Sequence, residues 1–181
     1  MTTILLDVDG VCGDFIDALL HAVGSRLSSK DIDRWNIFEQ LSKAEAQAAY
    51  AILCTSKFWL NAIRPVKIAQ DTIARWTDEG CEIVFVTAPW TSCSTWDHAR
   101  RAWLRQHFPP AEVVTAHAKQ HVIGDVFIDD RESNVKLWSE AHPRGLALLL
   151  AQPHNRHARL RRYSWPEVVE VVAASITQRR T

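Results

Sequence analysis

No two of the four cysteines, Cys12, Cys54, Cys81 and Cys93, stand in a C-x-x-C spacing. That excludes the paired-cysteine zinc and redox motifs. A chain of 181 residues is also too large to need disulfide staples. Met1-Thr2-Thr3 runs straight into a strand-like stretch, so the start reads as free of a secretory leader. Reduced, buried thiols in a cytoplasmic protein are expected. Long apolar runs are missing too. A run such as Leu146–Ala151 falls far short of the roughly 20 residues a membrane helix needs. Charge excess is absent: Lys plus Arg is 21 and Asp plus Glu is 21. A basic coat for long nucleic acid is therefore not expected, and a small ligand or a local charged pocket is. Glycine is scarce, at 6 against 8 tryptophans. Some of those indoles are expected to line a pocket, and they suit an interface in a homodimer equally well.

Hydrophobic residues at 47% and charged residues at 23% describe a folded domain. Thr3–Asp9 is a short apolar run ending in two carboxylates, a pattern of a strand buried on both faces. Apolar residues from Phe15 to Leu27 follow helical spacing, and residues 43–55 read as a second helix. Asp31–Gln40 reads as loop with a short helix around Trp35 and Phe38. From residue 66 the elements alternate. Helices are expected over 66–78, Ser94–His107, Glu132–Ala141 and Pro166–Ser175. Strands are expected over Glu82–Thr87, Glu112–Thr115, Asp125–Asp129 and Gly145–Leu150. Arg179-Arg180 reads as a tail. This alternation predicts an α/β fold, a Rossmann-like parallel sheet with helices on both faces. Residues 15–64 hold no convincing strand and read as a small helical cap inserted after the first strand. The core is then 1–14 and 65–181.

Ligands of open parallel sheets bind beyond the carboxyl ends of the strands. Here those ends carry Asp7 and Asp9, Thr87, and Asp129-Asp130, with Lys119 on the loop before the fourth strand. Each alone is unremarkable: acids cap helices, threonine suits strands, and a lysine is usually solvated. Together they predict a site. Four clustered carboxylates call for a cation, and an all-oxygen donor set suits Mg²⁺. The expected metal set is Asp7, Asp9, Asp129 and Asp130; Asp129 is favoured as direct ligand with Asp130 as its support, and the reverse order stays open. Metal and Lys119 would hold a phosphate dianion. Asp7 would attack phosphorus. Gly10 lets the chain turn, so Asp9 could protonate the leaving oxygen and then activate water.

This ordered pattern resembles the haloacid dehalogenase superfamily of phosphatases. Asp7-Val8-Asp9-Gly10-Val11 is similar to its first motif, Thr87 to the second, Lys119 to the third and Asp129-Asp130 to the fourth. A narrower likeness is to the 5'(3')-deoxyribonucleotidase family. It rests on Asp14-Phe15, Thr87-Ala88-Pro89, Gly124–Arg131, and His154-Asn155-Arg156-His157 with Arg161-Arg162 and Ser164-Trp165. The resemblance implies Mg²⁺-dependent hydrolysis of nucleoside monophosphates such as dUMP or dTMP through an aspartyl-phosphate. It implies phosphate binding by Thr87, Ala88 and Lys119, and a base-stacking wall that includes Phe15 and Phe58 or Trp59. Trp90, just past Pro89, faces the same edge and is a further candidate for substrate contact.

Ala88 stands where that family has serine, so a hydroxyl donor is lost, to be made up by Thr91 or Ser92 or else to lower turnover. The basic stretch His154–Arg162 is either a solvated loop or a patch attracting anions. Two other substrates fit the same chemistry: a small sugar phosphate, or a polynucleotide 3'-phosphate. A binding module on a degenerate phosphatase fold is disfavoured, because Asp7, Asp9, Lys119 and Asp129 are all present.

Overall fold

β1 (Thr3–Leu6) lies at the centre of a six-stranded, all-parallel sheet. In this computed structural model, which describes residues 1–180 with side chains to Gln178, the strand order is β3-β2-β1-β4-β5-β6. The other strands are β2 (Glu82–Thr87), β3 (Glu112–Thr115), β4 (Val126–Asp129), β5 (Leu146–Leu150) and β6 (Arg162–Tyr163). The order reverses at β1 and β4, the place where open α/β sheets hold ligands. The expected tail Arg179-Arg180 lies outside the described side chains.

The strands are apolar on both sides because helices cover both sides. Successive side chains alternate between two clusters. Ile4, Leu6, Phe85, Ile128 and Leu148 belong to one. Leu5, Val84, Val86, Phe127 and Leu149 belong to the other. The first cluster takes in α4 (Lys67–Asp78), α5 (Trp96–His107) and α7 (Trp165–Arg180) through Trp76, Trp103 and Val168. The second takes in α6 (Glu132–Ala141) through Val135 and Trp138. Strand β6 was not expected; it is two residues long and too short to show a pattern.

Between β1 and α4 the chain forms α1 (Phe15–Ala22), α2 (Lys43–Leu53) and α3 (Ser56–Asn61), with 3₁₀ turns at Ser29–Asp31 and Ile37–Glu39. No strand interrupts them. The first helix ends earlier than its apolar spacing suggests, with Gly24 just beyond it at φ 66°. Ser42 starts α2 with a reciprocal cap: its Oγ accepts from the Glu45 N–H at 3.3 Å, and Glu45 accepts from the Ser42 N–H at 2.8 Å. The extra helix α3 follows Thr55 and buries Phe58 and Trp59. Leu19, Ile32, Ala49, Leu53 and Trp59 of this segment share the hydrophobic cluster of the first sheet face. The segment is thereby packed down over the end of the sheet that carries the acids.

Candidate active site

β1 pairs in parallel with both β2 and β4, Leu6 facing Phe85 on one side and Ile128 on the other. The Asp7 N–H extends this ladder to the Ile128 carbonyl at 2.9 Å. The register therefore sets Asp7 beside Asp129, at the same sheet edge as Thr87. The chain then coils tightly. The Val8 carbonyl accepts from both Cys12 and Gly13 N–H groups at 2.8 Å, and Gly10 N–H donates to the Gly13 carbonyl at 2.8 Å. Gly10 sits at φ 80°, a conformation that costs other residues about 1–2 kcal/mol.

Lys119 opens a 3₁₀ turn, Lys119–His121, and is buried. Its Nζ donates to Asp7 Oδ1 at 2.6 Å and to Asp129 Oδ2 at 2.8 Å. Burial alone would lower the pKa of this ammonium. The charges of Asp129 and Asp7 outweigh burial and raise it, so the lysine stays cationic. Asp129 is fully engaged: Oδ1 accepts from the Arg131 N–H at 2.8 Å, and the Asn134 amide reaches both oxygens at 3.2 and 3.0 Å. It does not cap α6, whose N-cap residue is Arg131 and which has no side-chain cap.

Asp7, Asp129 and Asp130 each offer a carboxylate oxygen within 4.8 Å of the others. Burial first, relieved by Lys119 and reinforced by Asp129, pushes the Asp7 pKa from 3.8 up to about 7. Burial, then the charges of Asp7 and Asp129, raises that of Asp130 well above the usual range. Such a set is built for a cation. Asp130 Oδ1 is buried and has no hydrogen-bond partner, as a metal-facing oxygen should be. The hard oxygen donors fit Mg²⁺. Of the pair, Asp130 carries the free oxygen and Asp129 holds Lys119, which favours the second of the two orders that sequence left open. The structure differs from expectation at Asp9. Its carboxylate is not in the group of three, and both its oxygens accept from Arg100 Nη2, at 2.7 and 2.6 Å.

A cavity of about 450 Å³ opens beside these groups. It brings together Asp9, Phe15, Trp59, Ala88, Trp90 and Asp130, six of the residues that the sequence singled out. Phe58 is not on its lining; it packs edge-on against Phe15 at 6.0 Å. Trp59 is buried and stacks on Phe15 at 5.8 Å and 17°. The segment over the site adds Phe38, stacked on Trp90 at 6.2 Å and 15°. Trp35 joins the lining as well, with the Arg131 guanidinium 4.9 Å above its ring and His154 against its edge. Burial lowers the His154 pKa below 6.5. Ser92 Oγ bonds the Tyr50 hydroxyl at 2.8 Å, and neither Ser92 nor Thr91 is on the cavity lining.

The basic stretch divides. His154 enters the site, and Arg156 clips the carbonyls of Lys30 and Ile32 in the covering segment. Arg159, Arg161 and Arg162 are exposed. Arg100, Trp35 and Phe38 were not picked out from sequence as site residues. An arginine within an amphipathic helix reads as solvated, and the Trp35–Phe38 turn has no period to read.

A 3-2-1-4-5-6 parallel sheet whose central strand ends in paired aspartates, with lysine and a second aspartate pair at the neighbouring ends, defines a hydrolase of the haloacid dehalogenase type. The family model "5' nucleotidase, deoxy (Pyrimidine), cytosolic type C protein" matches residues 1–178. The chain belongs to that family, and it is a phosphatase. Among curated protein sequences, none matches. Solved structures share the fold at low identity. A haloacid dehalogenase-like hydrolase of Burkholderia xenovorans LB400 superposes with a TM-score of 0.59 at 15% identity, covering 96% of this chain and 97% of that one. A superfamily hydrolase, subfamily IA, of Geobacter sulfurreducens PCA gives 0.52 at 14%, with 95% and 96% covered. Protein Tyrosine Kinase A of Mycobacterium tuberculosis gives 0.55 at 15%, with 94% and 97% covered. Proteins of different stated activity thus share this architecture, and the substrate has to be argued from the site. Among the described residues, no helix is long and apolar enough to cross a membrane.

Proposed function

We propose that this protein hydrolyses nucleoside monophosphates, with a preference for deoxyribonucleotides such as dUMP or dTMP, to nucleoside and phosphate. The observation that carries the reading is the junction of the two halves of the site. Asp9 and Asp130, which is clustered with Asp7 and Asp129, stand on the wall of the same cavity as Phe15, Phe38, Trp59 and Trp90. A cavity of about 450 Å³ lies in the size class of small-ligand sites. Flat aromatic walls suit a base, each stacked ring being worth about 1–3 kcal/mol. Membership of the deoxypyrimidine nucleotidase family supports the same substrate.

Asp7 attacks phosphorus through a carboxylate oxygen, the bond to the leaving oxygen breaks, and Asp9 gives that oxygen its proton. Water then attacks the aspartyl-phosphate, loses a proton to Asp9, and frees Asp7 and inorganic phosphate. Lys119, the Thr87 hydroxyl and the Ala88 N–H hold the phosphoryl oxygens as charge shifts. Asp7 and Asp130 would hold Mg²⁺, with Asp129 as support. When bound, the cation supplies further positive charge at the phosphoryl group.

Phosphate release from a panel of 5'- and 3'-nucleoside monophosphates, a hexose phosphate and a 3'-phosphorylated oligonucleotide tests the reading. Mg²⁺-dependent release confined to nucleotides, and lost in Asp7→Asn, is expected. Release from the hexose phosphate or the oligonucleotide alone would overturn the substrate and keep the chemistry.

A further inference from the structure

Arg100 projects from α5 and is fully buried. One nitrogen, Nη2, meets both oxygens of Asp9. Its Nε and Nη1 are buried without a hydrogen-bond partner. They lie instead among indoles: the guanidinium carbon is 4.9 Å from the Trp59 ring, 5.6 Å from Trp96 and 5.9 Å from Trp103. A residue that merely filled this space would be apolar, because a buried charge with unmatched donors is costly. The charge has one counterpart here among the described residues, and that is Asp9, whose side chain keeps 28% of its surface on the cavity side.

The aromatic box also reaches the cavity. Trp59 lies against the Arg100 guanidinium and also stacks on Phe15, and both rings line the cavity. The wall that would receive the leaving group and the acid that would protonate it are therefore joined through one guanidinium.

We infer that Arg100 is the positioning residue of Asp9, fixing its carboxylate at the edge of the cavity and coupling its placement to the Phe15–Trp59 wall. The inference rests on the phosphomonoester chemistry proposed above. Arg100 is fully buried and is not on the cavity lining; it acts through Asp9. Its contribution then falls on the step in which Asp9 passes its proton to the departing oxygen. An alkoxide leaves poorly without that proton, whereas p-nitrophenolate leaves without help.

The test compares Arg100→Met and Arg100→Lys with the unaltered protein in single-turnover reactions. The substrates are dUMP and p-nitrophenyl phosphate, both with Mg²⁺. General acid catalysis contributes about 10²- to 10⁴-fold, so Arg100→Met should slow cleavage of dUMP by on the order of 10²-fold. KM should stay within roughly threefold, since the residue is not on the cavity lining. Release of p-nitrophenol should slow by less than about tenfold. Arg100→Lys keeps the cation with a shorter, unforked reach and should recover part of the loss on dUMP. It carries the comparison if the methionine variant does not fold. In an Asp9→Asn background, Arg100→Met should add little further loss.

Equal losses on the two substrates, or full additivity with Asp9→Asn, would assign Arg100 to packing alone and overturn the inference while leaving the phosphatase intact. Inactivity of the unaltered protein on both substrates would overturn the underlying reading, and the inference with it.

Discussion

The ammonium of Lys119 lies 2.6 Å from Asp7 Oδ1, although the two residues are 112 positions apart in the chain. The sheet makes this possible. β1 ends at the switch in strand order, and the turn that holds Lys119 enters β4, the neighbour of β1. The same ammonium holds Asp129 at 2.8 Å, so one lysine compensates two buried acids.

Lys119→Met removes that compensation. Breaking a buried pair by deleting one partner costs about 3–5 kcal/mol, and metal-free protein at neutral pH should lose stability of that order. Activity should fall by about 10²- to 10³-fold, as for loss of one fixed donor to a developing charge. Denaturant unfolding in chelator, beside phosphate release in Mg²⁺, measures both effects. A variant of unchanged stability would show that Asp7 and Asp129 are compensated elsewhere.

Asp7 gives a pH dependence of known sign. Its carboxyl titrates near 3.8 when unperturbed and at about 7 in the folded chain, because burial disfavours the charge. The folded state thus holds the proton more tightly than the unfolded one. Its stabilising contribution is complete below about pH 4 and is lost as pH rises through about 7. Asp7→Asn cannot ionise. In chelator, the midpoint of the variant should rise relative to the unaltered protein between pH 4 and 8. Saturating Mg²⁺ should remove or reverse the difference by binding the ionised carboxylate. A midpoint difference that stays flat with pH would place the Asp7 pKa near its ordinary value.

The positions of Asp7, Asp9, Thr87, Asp129 and Asp130 were legible in sequence for one physical reason. Each follows a run too apolar to be anything but a strand buried on two faces, and parallel strands end together. The same reasoning located α6 to the residue, Glu132–Ala141. It could not orient Asp9, whose partner Arg100 lies 91 positions away on a helix. Nor could it choose between Asp129 and Asp130, since only the hydrogen bonds from Lys119, Arg131 and Asn134 show which carboxylate is already engaged. The segment over the site was the least readable. Its helices are short, its 3₁₀ turns have no apolar period, and the stacking of Phe38 on Trp90 is a contact between distant segments. Of the eight tryptophans, Trp35 and Trp90 line the cavity from positions outside the buried core, Trp59 does so from within it, and the other five are buried.

The Phe38–Trp90 pair carries the expectation for substrate choice. Phe38→Ala removes one stacked ring from the cavity wall. At about 1–3 kcal/mol per stacked base, KM for a nucleoside monophosphate should rise roughly 5- to 150-fold while kcat changes little. On a hexose phosphate the same change should be small. Steady-state kinetics on both substrates decides it; a uniform loss of kcat would mean that the ring supports the covering segment and does not contact the base.

Gly10 and Asp130 supply a test of the metal site that needs no substrate. A Cβ at Gly10 would stand 1.8 Å from Asp130 Oδ2 and 2.9 Å from its Cγ. The carboxylate has nowhere to retreat: it is buried, and the His154 Nε2 lies 3.4 Å from the same oxygen. Gly10→Ala must therefore displace it. Gly80 provides the control. It has nearly the same backbone angle, φ 82° against 80°, but a Cβ there meets nothing within 4 Å. Both alanine variants should lose about 1–2 kcal/mol of stability from the left-handed backbone. Gly10→Ala alone should weaken Mg²⁺ binding by about 10- to 100-fold, the scale seen when groups around a metal ligand are disturbed. Calorimetric titration of Mg²⁺ into the substrate-free proteins reads this directly. Equal affinities in the two variants would remove Asp130 from the metal set and return the direct contact to Asp129.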